Sequence, residues 1–236
     1  MYLQPFHQIV DNRVNITPEQ ASHFAKDVAG DFNPLHNPGA KRFCVPGDLL
    51  FALVLARYGL SQEMVFKYTG MVGNGVFLDF PNEPDGEFAI VDSNDKRYLE
   101  VSSEGDCTLD LSAIEKFTRA YVAFSGHSFP DILVPLLKQH DVMMNTDRPM
   151  VIYESMSFRL DHVDIECPTL EFDSSSLEVK GKRGDVRLIF NVLENGELVG
   201  KGCKSLVVSG LRPFDDEKIE EMVELYRRTR DSYNPV

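Results

Sequence analysis

The sequence lacks paired cysteines and long apolar runs, and each absence excludes a class of protein. Its four cysteines stand singly, without C-x-x-C spacing or a histidine at a metal-ligand interval: Cys44, Cys107, Cys167 and Cys203. We therefore expect reduced thiols and no structural metal. No apolar run reaches the roughly 20 residues that a membrane-spanning helix needs. The N-terminus has no basic segment followed by an apolar one, so we expect no secretory signal and a cytoplasmic protein.

Basic residues are also in deficit, and this deficit restricts the partners. The 236-residue chain has 37 acidic residues against 24 basic ones, a formal net charge of −13. Long-range repulsion disfavours binding to nucleic acid and to anionic membranes. A phosphate-bearing ligand therefore needs a local basic patch, and Lys41 and Arg42 are the first candidates for it. Residues 180–183 are a second candidate, and a solvated surface turn is the alternative interpretation of both.

The stretch Gly30–His36, with the sequence G-D-F-N-P-L-H, places an acid and an imidazole close together. Pro34 has no N–H and disfavours helical backbone at Asn33, and Asp31 and Asn33 both favour turns, so we predict a bend. A bend can aim the Asp31 carboxylate and the His36 imidazole at one point, as acid–base chemistry on water requires. The alternative is that these residues only cap a helix or close a turn.

Hydrophobic periodicity predicts a helix on each side of this bend. Thr17 fits the cap position, with proline at the next residue and glutamine three residues on, and this helix should end near Gly30. Residues 49–56 are apolar on nearly every face. Such a run is typical of a helix buried on all sides, and Gly59 marks its expected end.

The remaining segments predict strands in two groups. Short strands between residues 64 and 111 should form an antiparallel meander, and longer strands follow between residues 150 and 210. A helix that starts with a capping box at Ser112 separates the groups. A C-terminal helix over residues 215–230 has acids at its start and arginines at its end. A further apolar helix is predicted over residues 131–137. Helix, bend, buried helix and strands thus occur twice, which indicates a duplicated unit.

The second unit has a weaker candidate site at the matching place. The run G-H-S-F-P from Gly126 to Pro130 echoes G-D-F-N-P from Gly30 to Pro34. His127, flanked by Ser125 and Ser128, is therefore interpreted as a remnant of the bend. Aromatic residues nearby would suit an apolar tunnel, although core packing is the simpler interpretation.

The run G-D-F-N-P-L-H resembles the G-D-x-N-P-x-H signature of the MaoC-like (R)-specific enoyl-CoA hydratases and dehydratases, which have the hot-dog fold. With the repeat, this resemblance implies an α+β double hot-dog. Long central helices would be wrapped by antiparallel sheet, with a surface helix at the C-terminus. The N-terminal hot-dog would span residues 1–111 and carry the motif. The C-terminal hot-dog, with a degenerate motif, would span residues 112–212. The C-terminal helix would span residues 213–236.

The resemblance also implies a cofactor-free reaction at an acyl thioester of coenzyme A or acyl carrier protein. Water would add to a trans-2-enoyl thioester or leave an (R)-3-hydroxyacyl thioester. Asp31 and His36 would hold and activate the water, and Asn33 would orient the loop or the water. A backbone N–H of Gly47 or Asp48, at the start of the buried helix, would stabilise the thioester oxygen. The chain could also pair as a homodimer.

Departures from the family pattern leave other functions open. The segment between His36 and the central helix is shorter than in these hydratases, and Ala29 stands where they usually have Ser or Thr. Arg42 stands where these hydratases usually have Ala or Ser, and Pro46 and Gly47 stand where a His-Gly pair usually opens the central helix. One alternative is therefore a non-catalytic protein that binds acyl-CoA or fatty-acyl groups. The other alternative is a thioesterase, for which Asp48 or Glu63 would have to serve as the acid.

Overall fold

The computed structural model describes residues 2–235. Its α-helices are α1 Pro18–His23, α2 Gly47–Tyr58, α3 Leu111–Gly126, α4 Val134–Gln139 and α5 Asp216–Asp231. Its β-strands are β1 Gln8–Val10, β2 Arg13–Asn15, β3 Leu60–Tyr68, β4 Phe77–Leu78, β5 Glu87–Val91, β6 Arg97–Thr108, β7 Val142–Met143, β8 Val151–Leu160, β9 Pro168–Lys180, β10 Arg183–Glu194, β11 Glu197–Ser209 and β12 Arg212–Pro213. No helix in this range is long and apolar enough to cross a membrane.

Seven strands form one antiparallel sheet in the order β5-β6-β3-β8-β11-β10-β9. β3 pairs with β8, Val65 opposite Ser157, so strands from the two parts of the chain join in one sheet. The predicted meander is wrong in one respect. β4 pairs with β2 in a separate small sheet, and β3 pairs directly with β6. The α+β hot-dog fold is confirmed, and its division at residues 111 and 212 stays a prediction.

Helix α2 lies at the centre of the core, as its apolar sequence predicts. All eight residues from Asp48 to Leu55 are buried, because the helix contacts protein on every side. The Phe51 ring packs against Phe66 of β3 and Tyr121 of α3, with centroid distances of 5.0 Å and 4.7 Å. Gly59 ends the helix with a φ of 95°, a backbone conformation that favours glycine. Helix α2 thus packs against elements from both parts of the chain.

The helix before the bend also begins and ends as predicted. The Thr17 hydroxyl accepts a hydrogen bond from the Gln20 N–H at 3.3 Å, and the Gln20 side chain accepts one from the Thr17 N–H at 3.0 Å. After α1, the chain continues through a π-helical turn over Phe24–Val28. The helical backbone ends before Gly30, whose φ is 65°. This positive φ turns the chain into the bend.

The start of α3 differs from the sequence-based prediction. The cap is Asp110 rather than Ser112, because the Asp110 carboxylate accepts hydrogen bonds from the N–H groups of Ser112 and Ala113, at 3.2 Å and 3.1 Å. A carboxylate at this place satisfies two amides that have no partner within the helix, and its charge is favourable at a helix N-terminus. Ser112 is therefore a residue of the first turn.

Helix α5 docks on the bend through one tyrosine. Asp215 caps this helix, and Ile219 and Tyr226 are its buried residues. The Tyr226 hydroxyl accepts a hydrogen bond from the Phe32 N–H at 3.3 Å. The same hydroxyl lies 3.3 Å from the Gly30 carbonyl oxygen and 3.4 Å from that of Gly126. The predicted C-terminal surface helix is confirmed, and it contacts the bend as well as the end of α3.

Gly126→Ala should destabilise the protein, because the end of α3 contacts the bend directly. A Cβ at residue 126 would lie 1.9 Å from the carbonyl oxygen of Ala29 and 3.2 Å from the backbone N of Asp31. Helix propensity alone predicts the opposite sign, a gain of about 1 kcal/mol. We expect a net loss of about 1–3 kcal/mol, as for other overpacked sites, in the free energy of unfolding measured with urea.

Gly39→Ala is the matched control for this substitution, because nothing lies within 4 Å of a Cβ at residue 39. Its stability should stay close to that of the wild type. A Gly126→Ala protein as stable as the wild type, or more stable, would contradict the close contact.

Candidate active site

The bend at residues 31–36 is held by side chains that bind its own backbone. Asp31 Oδ1 accepts a hydrogen bond from the Asn33 N–H at 2.8 Å, and Asn33 Oδ1 accepts one from the Leu35 N–H at 3.1 Å. Pro34 then begins a single 3₁₀ turn, Pro34–His36. Because its amide oxygen binds the loop, Asn33 is placed to orient the bend.

His36 is held in one orientation and one neutral tautomer. Its Nδ1 lies 2.7 Å from the carbonyl oxygen of Cys44, and a carbonyl oxygen can only accept, so Nδ1 carries the proton. The neutral ring therefore presents an unprotonated Nε2. This atom lies 3.5 Å from Asp31 Oδ2, and the two side chains are 13% and 22% exposed respectively. Two acceptors at this distance can bind the two protons of one water molecule.

The pKa values of His36 and Asp31 shift in opposite directions. Burial lowers the pKa of His36 and raises that of Asp31, but the interaction between the two side chains acts the other way on each of them. Hydrogen bonds with the Cys44 carbonyl and the Asn33 amide add to this interaction. As a net result, the His36 pKa lies above its ordinary value and the Asp31 pKa lies below its ordinary value. The Asp31 carboxylate therefore favours the protonated imidazole, the form that a general base reaches when it takes up a proton.

A second polar cluster is buried beside this pair. It consists of Asp48 from α2, Ser125 from α3 and Lys204 from β11, which are 7%, 4% and 6% exposed. The Ser125 hydroxyl donates to Asp48 Oδ2 at 2.5 Å and accepts a hydrogen bond from Lys204 Nζ. The Lys204 ammonium also lies over the Tyr153 ring, 4.5 Å from its centroid. The three residues are called the Asp48–Ser125–Lys204 cluster below.

Burial dominates the electrostatics of the Asp48–Ser125–Lys204 cluster. It raises the pKa of Asp48 and lowers the pKa of Lys204, although the opposite charges of the two residues oppose both shifts. The charges of Asp31 and His36 also act on the pKa of Asp48. The Asp48 carboxyl is therefore coupled electrostatically to the acid–base pair.

Gly47 and Asp48 are the first two residues of helix α2, as predicted, but different side chains surround each of them. The Gly47 carbonyl accepts a hydrogen bond from the Tyr68 hydroxyl at 3.1 Å. A Cβ at Gly47 would lie 2.9 Å from ring atoms of both Tyr68 and Tyr153. Two tyrosines thus pack against Gly47, and Asp48 belongs to the buried cluster. Binding of a thioester oxygen by either backbone N–H stays a prediction.

Lys41, Arg42 and Glu63 lie at the surface. Lys41 and Arg42 are exposed in the connector after the bend, and the Arg42 guanidinium lies 3.6 Å from Met150 Sδ. A role for both residues in binding phosphates stays a prediction. Glu63 pairs with Arg159 at 3.2 Å, and their side chains are 45% and 77% exposed. This ion pair lies in solvent, so Glu63 is not part of the buried site.

Lys204 was missed in the sequence, and Ser125 was considered only as a neighbour of His127. The sequence of β11 could have indicated that Lys204 is buried. Side chains alternate between the two faces of a strand, and Gly202, Lys204 and Leu206 share one face, on which all three are buried. His127 itself has a packing role. Its ring lies against Gly30, where a Cβ would be 2.7 Å from Cε1, and its Nδ1 donates to the Ala123 carbonyl at 2.6 Å.

The chain was compared with families and with proteins of known function. A family model, DUF3581, described as a protein of unknown function, matches residues 1–217. The chain therefore belongs to the DUF3581 family. A search of curated proteins gave no match. Within residues 2–235, no group of three or more His, Cys, Asp or Glu residues is arranged to hold a metal ion.

Solved structures that resemble the chain include a MaoC-like dehydratase, with 11% identity and a TM-score of 0.43, over 87% of this chain and 98% of that one. Another is an acyl-CoA thioesterase II from Mycobacterium marinum, with 10% identity and a TM-score of 0.42, over 91% and 98%. A third is an acyl-ACP thioesterase from Bacteroides thetaiotaomicron, with 10% identity and a TM-score of 0.36, over 71% and 92%. These likenesses are too distant to assign an activity.

Proposed function

We propose that this protein is an acyl-thioester hydratase or dehydratase. It would add water to a trans-2-enoyl thioester, or remove water from an (R)-3-hydroxyacyl thioester, with coenzyme A or acyl carrier protein as the carrier. The observation that carries the proposal is the Asp31–His36 pair, in which the Cys44 carbonyl leaves Nε2 free to accept a proton. The resemblance of the run G-D-F-N-P-L-H to the hydratase signature supports the same chemistry.

The pair would act on a water molecule bound by both side chains. His36 Nε2 takes one proton from this water as the oxygen bonds to the β-carbon of the enoyl thioester. The Asp31 carboxylate stabilises the imidazolium that forms, since opposite charges at this distance attract strongly in a partly buried site. Negative charge moves to the thioester oxygen, where a backbone N–H at the start of α2 would bind it. In the dehydration direction the imidazolium returns its proton to the leaving hydroxyl.

Thioester hydrolysis is the second candidate. A water molecule activated by the same pair could attack the carbonyl carbon instead of the β-carbon. The specific observation in favour of hydrolysis is Asp48, the acid that a thioesterase would need on its central helix, because this carboxyl is buried beside the pair. The two reactions differ in product, since only hydrolysis releases a free thiol.

One assay separates these functions. The purified protein is mixed with short-chain and long-chain trans-2-enoyl-CoA, and the absorbance of the conjugated thioester is followed together with free thiol. We expect absorbance loss without thiol release, and no turnover by His36→Ala. Thiol release would establish a thioesterase. Binding of acyl-CoA without either reaction would establish a non-catalytic acyl-binding protein and refute the proposed enzyme.

The hydration rate should fall at acid pH with an apparent pKa above the ordinary histidine value of about 6.5. The base must be unprotonated, and Asp31 raises the pKa of His36. Asp31→Asn removes this charge, so the acid limb of the residual activity should move to lower pH. Asp95→Asn, an exposed change of the same charge, should leave the limb in place. An acid limb that Asp31→Asn does not move would exclude His36 as the titrating base.

A further inference from the structure

One carboxyl oxygen of the Asp48–Ser125–Lys204 cluster is buried without a partner. Asp48 Oδ2 accepts from Ser125, whereas Oδ1 has no hydrogen-bond partner among the residues that the structure describes. A buried polar atom without a partner costs about 1–3 kcal/mol. Such an atom marks a place where a proton or a ligand atom can be bound, and the reaction proposed above needs both.

The hydrogen bonds of the cluster run in one direction. Lys204 Nζ donates to the Ser125 hydroxyl, which donates to the Asp48 carboxylate. A proton can therefore move from the ammonium to the hydroxyl while the hydroxyl proton moves to the carboxylate. This transfer converts a buried ion pair into a neutral amine and a neutral carboxyl. Burial shifts this equilibrium toward the neutral pair, because charged groups lose their hydration in the interior, and the attraction between the two charges opposes the shift.

The cluster lies directly behind the bend. Ser125 precedes Gly126, and a Cβ at Gly126 would touch the backbone of Ala29 and Asp31. Asp48 lies in the first turn of α2, where the thioester oxygen is expected to bind. The relay therefore ends in the first turn of α2, the part of the helix that would bind the thioester, at a carboxyl whose pKa responds to the charges of Asp31 and His36.

We propose that Asp48 is the second proton-transfer residue of the site and that it acts on the α-carbon of the thioester. This inference rests on the proposed function. During hydration, the carboxyl that Ser125 has protonated on Oδ2 rotates about its Cβ–Cγ bond and presents this proton at the former position of Oδ1. The O–H bond then breaks and a C–H bond forms at the α-carbon, while the π bond opens and the water oxygen bonds to the β-carbon. His36 holds the proton taken from water. During dehydration, the Asp48 carboxylate removes the α-proton and the imidazolium protonates the leaving hydroxyl.

Ser125 and Lys204 are positioning residues in this scheme. After hydration, the Asp48 carboxylate regains a proton from Lys204 through Ser125. Lys204 then takes a proton from solvent, and His36 releases its proton to solvent. One water molecule is consumed, and both ends of the site return to their initial state.

The α-carbon step can be measured without hydration. A saturated thioester cannot gain or lose water, but its α-hydrogen exchanges with solvent if a base removes and returns it. Butanoyl-CoA and dodecanoyl-CoA are incubated with the full chain in D₂O, and deuterium at the α-carbon is followed by mass spectrometry. Wild type and His36→Ala should both exchange, since Asp48 is intact in each. The exchange rate of Asp48→Asn should be lower than that of the wild type by a factor of about 10² or more, because a general base is lost.

Two further variants separate chemistry from folding. Asp48→Glu keeps the carboxyl and should restore part of the exchange. Ser125→Ala keeps Asp48 but interrupts the relay, so exchange with solvent should slow while the exposed control Ser112→Ala exchanges at the wild-type rate. Thermal unfolding of each variant shows whether it is folded. If Asp48→Asn does not fold, the exchange rates of Ser125→Ala and Ser112→Ala test the inference instead, and equal rates would overturn it.

The outcomes are distinct for the two proposals. Exchange by the wild type without hydration of an enoyl thioester would refute the proposed hydratase and leave Asp48 as an α-carbon base. Hydration with Asp48→Asn exchanging at the wild-type rate would overturn this inference alone. Loss of exchange in His36→Ala, with exchange retained in Asp48→Asn, would assign both proton transfers to the Asp31–His36 pair. No exchange in the wild type would also overturn the inference.

Discussion

His36→Ala should lower the rate of enoyl-thioester hydration by about 10²- to 10⁴-fold, the usual contribution of a positioned general base. Asp31→Asn should also be slow, because it removes the charge that stabilises the imidazolium. The two side chains act on one water molecule as a unit. We therefore expect the double variant to be little slower than the slower single variant, since effects within a catalytic unit are not additive.

This result requires that the variants stay folded. His36→Ala loses the hydrogen bond from Nδ1 to the Cys44 carbonyl, which costs about 0.5–1.5 kcal/mol and is too small to unfold a domain of ordinary stability. His140→Ala, at an exposed position, is the matched control and should turn over at the wild-type rate. Initial rates and thermal unfolding of all variants check the prediction. Wild-type turnover by His36→Ala would refute the assignment of His36 as the base. If the losses of activation free energy in the two single variants added up in the double variant, Asp31 and His36 would not act as one catalytic unit.

The local parts of the site were predictable from the sequence because neighbouring residues determine them. The absence of an N–H at Pro34 and the turn preferences of Asp31 and Asn33 define the bend. The end of α2 was also predictable, because it depends only on the positive φ that Gly59 adopts. The pair itself follows from this local geometry, since His36 lies five residues after Asp31 and binds the Cys44 carbonyl eight residues further on.

The buried cluster was not predictable in the same way, because its contacts are distant in the sequence. Ser125 is 77 residues from Asp48 and 79 residues from Lys204, and which residues meet depends on how three separate elements pack. Local rules also failed where two caps competed. Asp110 and Ser112 both fit the start of α3, and only the structure shows which side chain binds the free amides.

The weak repeat has a structural meaning. The echoing runs that begin at Gly30 and Gly126 contact each other, through the Ala29 carbonyl and the His127 ring. Tyr226 lies within hydrogen-bonding distance of the carbonyl oxygens of both glycines. The second run thus packs behind the first, and Ser125, next to the second glycine, joins the buried cluster. Residues at the C-terminal end of α3 therefore support the bend.

Lys204→Met should reduce the free energy of unfolding by about 3–5 kcal/mol above neutral pH, the usual cost of removing one partner of a buried ion pair. The methionine fills a similar volume, but Asp48 then lacks a cation and Ser125 loses a donor. Replacing Asp48 by leucine as well should recover most of this loss, because apolar groups of similar volume can replace a buried pair at little cost. Lys201→Met, on the exposed face of the same strand, should change stability by about 0.5 kcal/mol or less.

The loss in Lys204→Met should depend on pH with a defined sign. Burial raises the pKa of Asp48, and the Lys204 charge opposes this shift, so the pKa should rise further when the lysine is removed. The folded variant then binds a proton that the unfolded chain, with an aspartate pKa of about 3.9, releases. Stability therefore falls as pH rises from about 4 through the raised pKa. Urea denaturation at pH 5 and pH 8 should show the larger loss at pH 8. An equal loss at both pH values would mean that Asp48 does not take up the proton, and that the relay from Lys204 through Ser125 does not end at this carboxyl.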